Sequence, residues 1–151
     1  MAATSAVSLR SARPVTVLFV DDDADTRFAY RLVGTEDGLT VELAGDGLEA
    51  IAIADALLPD VIVLDVGLAR HGLDGLEVAR RLRATSRTST IPIVFLSGYN
   101  SAADVAAIRA SGCEGHLVKP CSTEALFGLV TDLAMIRRDQ ASLGQARASG
   151  T

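Results

Sequence analysis

Short runs rich in β-branched residues alternate with amphipathic stretches along most of the chain. Each run is followed by a segment in which apolar residues recur at helical spacing. This alternation is typical of βαβ units, which form a parallel sheet covered by helices on both faces. The sequence therefore predicts an α/β fold with five strands. The five runs are Val15 to Val20, Thr40 to Ala44, Val61 to Leu64, Ile91 to Leu96 and His116 to Val118.

The helical pattern is clearest after the fifth run. There, apolar residues follow the spacing i, i+3, i+4, i+7, and Ser122 is placed to cap the start of the helix. Four earlier segments show shorter versions of the same spacing, and glycines or prolines separate them from the runs. Five helices are therefore predicted. Their apolar positions include Phe28 and Leu32, Leu48 and Ile51, Val78 and Leu82, Val105 and Ile108, and finally Leu126, Leu129, Val130 and Leu133.

The length of 151 residues is that of one ordinary domain. We expect this domain to span residues 13–138, with flexible tails at 1–12 and 139–151. No apolar run approaches the roughly 20 residues that cross a bilayer, and the first residues lack the apolar centre of a secretory signal. A cytoplasmic protein without membrane insertion is expected.

The net charge of −5 is uneven, because both terminal segments are basic and the middle of the chain is correspondingly more acidic. Such a core repels nucleic acid unless a basic face is segregated from it. The largest arginine cluster is Arg80, Arg81, Arg83 and Arg87, which we interpret as the solvated side of a helix. The two cysteines lack the spacing of a zinc site or a disulfide framework.

Acidic residues follow two of the predicted strands. Asp21 and Asp22 follow the first, and Asp65 follows the third. In open α/β sheets, ligands bind outside the carboxyl ends of the strands, so these carboxylates are expected at one rim. Either one of them is protonated or a cation compensates them, and an all-oxygen ligand set favours Mg²⁺. Helix capping alone explains Asp23 and Asp25 but does not explain Asp65.

Two further residues end the fourth and fifth strands. Ser97 provides a hydroxyl that can donate to an anionic oxygen. Lys119 is the only lysine in a chain that otherwise uses arginine, and its ammonium can reach a carboxylate or a phosphoryl oxygen. Together with the three acids, they predict a site for a metal ion and an added phosphoryl group.

These residues resemble the response-regulator receiver domain, the phospho-acceptor module of two-component signalling. The resemblance covers roughly residues 13–138 and implies a flavodoxin-like, doubly wound sheet of order 2-1-3-4-5 with five helices. The motifs that carry it are Val20-Asp21-Asp22-Asp23, Val63-Leu64-Asp65, Asp74-Gly75, Phe95-Leu96-Ser97-Gly98 and Val118-Lys119-Pro120.

The resemblance also implies a role for each residue of the site. Asp65 looks like the phosphate acceptor, and Asp21 and Asp22 look like the Mg²⁺-binding acids, with Asp22 the more direct ligand. Ser97 looks like the switch hydroxyl, and Lys119 looks like the lysine that contacts the phosphoryl group. A sensor histidine kinase or a histidine phosphotransfer protein is then the donor. The output is expected through a downstream protein target rather than through direct contact with nucleic acid, and a homodimer is possible.

The chain departs from the family pattern at two places. The loop 66–73 is about two residues longer than usual and lacks the family's proline, which affects whether the Gly67 carbonyl joins the metal ligands. His116 stands where the family usually has a tyrosine or phenylalanine that rotates on activation. We expect His116 to serve as the rotating switch residue or, alternatively, to be an ordinary surface imidazole.

Three other interpretations remain open at this level. A receiver-like module could dock on a partner without being phosphorylated. A phosphatase of the haloacid dehalogenase type would use Asp21-Asp22-Asp23 as its D-x-D motif, although the late acidic pair of that family is missing. A dinucleotide site would use Gly45-Asp46-Gly47, but Asp46 would then repel a pyrophosphate.

Overall fold

The computed structural model describes residues 13–68, 72–98 and 102–149. The expected flexible tail at 1–12 therefore lies outside the described residues. The strands are β1 (Thr16–Val20), β2 (Thr40–Ala44), β3 (Val61–Asp65), β4 (Ile93–Ser97) and β5 (Gly115–Val118). The helices are α1 (Ala24–Glu36), α2 (Gly47–Leu57), α3 (Gly75–Ala84), α4 (Ala102–Ala110) and α5 (Thr123–Ser149).

All strand pairs are parallel, and the sheet has the order β2-β1-β3-β4-β5. This confirms the predicted fold class, and each strand lies within two residues of its predicted run. Because the strands are parallel, their carboxyl ends meet at one rim, which we call the C-terminal rim. Within the described ranges, no helix combines the length and the apolar character that crossing a membrane requires.

Two apolar cores lie on opposite faces of the sheet. One packs side chains such as Leu18, Ile62 and Phe95 against α2, α3 and Ile108 of α4. The other packs alternate residues of the same strands, such as Phe19, against α1 and α5. Strands buried on both faces explain why the runs are almost continuously apolar.

The burial of α1 differs from the apolar pattern that predicted it. Phe28 and Leu32 are exposed, whereas the helix packs through Tyr30, Val33 and the buried Gly34. A Cβ at Gly34 would lie 2.5 Å from Val41 Cγ2, so the absence of a side chain sets how closely α1 approaches β2. The pattern located the helix but indicated the wrong face, because a glycine makes the tightest contact.

Helix α5 continues to Ser149, through most of the segment 139–151 for which we expected a flexible tail. The residues after Arg138 are mainly Ala, Gln, Arg, Ser and Leu, most of them with good helix propensity, and no proline interrupts them. An apolar stripe was the signal used to find the helix. This segment lacks one, since the side chains from Asp139 to Gly144 are exposed.

A buried ion pair fastens α5 to the opposite, N-terminal rim of the sheet. The Arg138 guanidinium donates to both carboxylate oxygens of Asp60, at 3.2 and 3.0 Å, and the Thr16 N–H donates to Asp60 Oδ2 at 2.9 Å. Asp60 is only 3% exposed. Burial by itself would raise the pKa of Asp60, but the hydrogen bonds from Arg138 and the Thr16 N–H outweigh it and hold the pKa below 3.8.

Replacing Asp60 by alanine is expected to lower the free energy of unfolding by about 3 kcal/mol, because it leaves the Arg138 charge without its buried partner. The matched control is Arg87→Ala, which breaks the exposed Arg87–Asp55 pair and should cost at most about 1 kcal/mol. Urea denaturation measures both. Equal losses in the two variants would contradict a structural role for the buried pair.

The contribution of Asp60 to stability should also depend on pH. Since its pKa is lowered on folding, the contribution is present above the ordinary pKa of 3.8 and is lost as the pH falls through the lower folded-state pKa. The difference in unfolding free energy between the parent and Asp60→Asn should therefore narrow between neutral pH and about pH 3. A difference that stays constant would contradict the lowered pKa.

Candidate functional site

Three carboxylates meet at the C-terminal rim, as the sequence predicts. Asp21 and Asp22 follow β1, and Asp65 is the last residue of β3, the strand beside it. A carboxylate oxygen from each lies within 4.8 Å of one from each of the others. The loop backbone orients two of them, because the N–H of Asp23 donates to Asp21 Oδ1 and the N–H of Gly67 donates to Asp65 Oδ1, both at 2.9 Å.

Lys119 joins two of these carboxylates. Its Nζ donates to Asp65 Oδ2 at 3.1 Å and to Asp21 Oδ2 at 3.3 Å. The backbone places it there, since the Lys119 N–H donates to the Ser97 carbonyl at 2.8 Å and extends the β4–β5 pairing to the rim. Burial alone would lower the pKa of Lys119, but the carboxylates of Asp65 and Asp21 raise it, so the side chain carries its charge.

Asp21 is the most buried acid of the site, at 3% exposure. Burial raises its pKa, and the charge of Asp65 adds to this effect. The Asp23 N–H and Lys119 act in the opposite direction without cancelling it. The single lysine thus does not fully offset the cost of burying the Asp21 charge.

The donor set fits a hard divalent cation. Carboxylate oxygens from three residues lie close together at the C-terminal rim. Mg²⁺ binds through one or two carboxylates together with water and phosphate oxygens. Gly67 reaches this site through its N–H, which contacts Asp65. Residues 69–71 of the lengthened loop 66–73 lie outside the described residues, and a role for the Gly67 carbonyl stays a prediction.

The structure brings Ser97 and His116 into direct contact. Ser97 ends β4, is buried, and shares a hydrogen bond of 3.1 Å between its Oγ and His116 Nε2. His116 lies on β5 and is half-buried. The sequence places Ser97 at the end of the fourth run and His116 at the start of the fifth. It does not indicate that they touch, because they are separated by 19 positions.

Sequence reasoning missed one contributor to the site, Arg27. Its guanidinium lies against Gly45, where a Cβ would be 3.2 Å from the Arg27 Nη1 atom. The same nitrogen donates to the Asp21 carbonyl at 2.7 Å. Arg27 therefore fixes the backbone that carries Asp21. A main-chain acceptor has no signature in the sequence, so no pattern could have identified this contact.

Several other motifs have structural explanations. Asp23, Asp46 and Asp74 are N-caps, and each accepts a hydrogen bond from an N–H in the first turn of its helix. The Asp46 carboxylate thereby occupies the position at α2 that a pyrophosphate would need, which argues against a dinucleotide site. The arginine cluster is paired with acids: Arg80 and Arg81 with Glu77, Arg83 with Glu114, and Arg87 with Asp55.

Comparison with known proteins identifies the class of this fold and site. A model of the response regulator receiver domain matches residues 17–131, and the chain belongs to that family. Such receiver domains are signalling modules of two-component systems rather than enzymes of the ordinary kind, and they typically bind Mg²⁺ in an acidic pocket.

Among sequence relatives, response regulator MprA of Mycobacterium sp. strain KMS is 39% identical over 125 residues, which is 83% of this chain and 52% of that protein. MprA of Mycobacterium ulcerans strain Agy99 is 40% identical over 124 residues, which is 82% of this chain and 51% of that protein. The chain thus spans about half the length of these curated relatives.

Among solved structures, chemotaxis protein CheY4 of Vibrio cholerae is similar, with a TM-score of 0.74 and 31% identity, covering 80% of this chain and 99% of CheY4. The receiver domain of the Francisella response regulator 1452 has a TM-score of 0.72 and 29% identity, and the match covers 82% and 98% of the two chains. The similarity to both structures spans nearly their whole length.

Asp21→Asn is expected to stabilise the protein by about 1 kcal/mol when divalent cations are removed with EDTA. The folded state raises the pKa of Asp21, so its charge at neutral pH opposes folding, and a neutral amide relieves this cost. Urea denaturation measures the effect. The control Asp132→Asn, at an exposed carboxylate, should change the free energy by less than about 0.5 kcal/mol. A destabilised Asp21→Asn would contradict the expectation.

Proposed function

We propose that this receiver domain accepts a phosphoryl group on Asp65 in a Mg²⁺-dependent reaction. The observation that carries the proposal is the bridge from Lys119 Nζ to both Asp65 and Asp21 within a cluster of three acids. Asp65 combines a negative charge, partial access at 13% side-chain exposure, and neighbours that could hold a cation beside it. Asp21, the other carboxylate that Lys119 contacts, is less accessible, at 4% side-chain exposure.

The transfer forms one bond and breaks another. An Asp65 carboxylate oxygen attacks the phosphorus of a phosphohistidine, the P–N bond breaks, and its electron pair returns to the donor's imidazole as the acyl phosphate forms. Asp21, Asp22 and Asp65, with the Gly67 carbonyl, would hold Mg²⁺, which when bound neutralises charge on the phosphoryl oxygens. Lys119 would supply a second positive charge to the phosphoryl oxygens, and it holds Asp65 in position.

The same proposal assigns Ser97 and His116 to the response. A phosphoryl group adds roughly −1.5 to −2 charge and new acceptor oxygens at Asp65. The Ser97 hydroxyl can donate a hydrogen bond to one of these oxygens. Its movement would change the contact with His116 at the surface formed by α4 and β5, and so favour one of two surface states.

We further propose that the donor is a sensor histidine kinase or a histidine phosphotransfer protein and that the output is contact with a downstream protein. A receiver domain has donor and target proteins by the nature of its family. Phosphohistidine must reach Asp65 at the open C-terminal rim, so the donor is expected to cover that rim. The alternative is a receiver that docks on its partner without being phosphorylated. The following experiment distinguishes this alternative from phosphorylation of Asp65.

Incubation with acetyl phosphate and Mg²⁺ is expected to add one phosphoryl group to the parent protein, measured by intact-protein mass spectrometry. Asp65→Asn should add none, because an amide oxygen is too weak a nucleophile. Asp132→Asn changes an exposed acid within α5 that is not one of the three clustered acids, and this variant should behave like the parent. EDTA should abolish the reaction in the parent.

A parent that stays unmodified, while circular dichroism shows it folded, would favour docking without phosphorylation. Modification of Asp65→Asn would place the acceptor elsewhere. Hydrolysis of p-nitrophenyl phosphate that depends on Asp21 rather than Asp65 would instead favour the haloacid dehalogenase type of chemistry.

A further inference from the structure

The hydrogen bond between Ser97 and His116 ties the switch hydroxyl to β5. In the sheet, β4 lies between β3 and β5. Asp65 pairs with Leu96 across the β3 side, whereas His116 belongs to β5 on the other side. The Ser97 hydroxyl is thus bound to the strand farther from Asp65.

The side-chain directions allow this contact to form within the folded sheet. Successive residues of a strand point to opposite faces, so Phe95 and Ser97 share a face. His116 is the partner of Phe95 across the β4–β5 pair and shares that face with them. Phe95 packs with Ile108 of α4, which places the His116 imidazole on the side of the sheet that α4 covers.

We propose that His116 is a positioning residue that holds the Ser97 hydroxyl in an unphosphorylated orientation and must release it before Ser97 can bind the phosphoryl group. This inference rests on the proposed function of Asp65. The Ser97 Oγ takes one of a few staggered positions, and the hydrogen bond to His116 stabilises the one seen here. Under this proposal, binding of a phosphoryl oxygen competes with the His116 hydrogen bond.

Release has a consequence at the surface. His116 is half-buried, so its freed nitrogen can form a hydrogen bond with water. Because this bond replaces the one to Ser97, the release costs little free energy. An aromatic hydrocarbon ring at this position would make no hydrogen bond to Ser97. The histidine therefore adds a specific restraint on the hydroxyl that an apolar ring of similar size lacks.

Calorimetric titration with beryllofluoride in the presence of Mg²⁺ tests the proposal, because beryllofluoride mimics a phosphoryl group on aspartate. His116→Phe removes the hydrogen bond but keeps a ring, and it should bind about 2- to 10-fold more tightly than the parent. His116→Gln keeps a polar group at a similar reach and should bind like the parent. Calorimetry suits this chain, which has no tryptophan.

A double variant separates a direct effect through Ser97 from a change in packing. In the Ser97→Ala background there is no hydroxyl to restrain, so adding His116→Phe should leave the affinity unchanged. An equal or weaker affinity of His116→Phe in the parent background, or the same tightening in the Ser97→Ala background, would overturn the proposal. Failure of the parent to bind beryllofluoride would instead contradict the proposed function, and the restraint with it.

A measurement on the parent alone covers the case in which His116→Phe does not fold. The ¹⁵N NMR signal of His116 Nε2, assigned by comparison with His71→Gln, should shift when beryllofluoride and Mg²⁺ are added, because its hydrogen bond to Ser97 breaks. Binding detected by calorimetry without a change in this signal would overturn the proposal while leaving the phosphoryl-accepting role of Asp65 intact.

Discussion

The burial of the Asp21 carboxylate close to Asp65 and Asp22 is the constraint on which the rest of the site depends. Folding brings these acids together because β1 and β3 are neighbours that end at the same rim. The hydrogen bonds of the loops and the charge of Lys119 keep them there. Burying a charged Asp21 costs stability, and an added positive charge beside it would offset that cost, so the same geometry that weakens the fold favours binding of a cation.

The two rims of the sheet resolve buried charge in different ways. At the N-terminal rim, Asp60 receives hydrogen bonds from Arg138 and a backbone N–H, and its pKa falls. At the C-terminal rim, Asp21 shares one lysine with Asp65, and its pKa rises. At the first rim the hydrogen bonds to Asp60 outweigh the effect of burial, which makes that rim a structural joint. At the second rim burial of Asp21 outweighs its contacts, so an added positive charge there would be favourable.

The sequence predicted the strands, their parallel pairing and the meeting of the three acids with Lys119, because strand ends and apolar runs depend on local patterns and a general rule of α/β sheets. Prediction from the sequence failed where a contact is made by a group that leaves no such pattern. The close approach of α1 depends on Gly34, the support of Asp21 depends on a main-chain carbonyl bound by Arg27, and the length of α5 depends on helix propensity without an apolar stripe.

Helix α5 is attached to both ends of the sheet. Ser122 caps its first turn next to the Lys119–Pro120 segment, and Arg138 binds Asp60 at the far end. The helix has 27 residues, which corresponds to a rod of about 40 Å. With two anchor points, the rod cannot pivot freely about either of them, so the sheet sets the direction in which α5 runs.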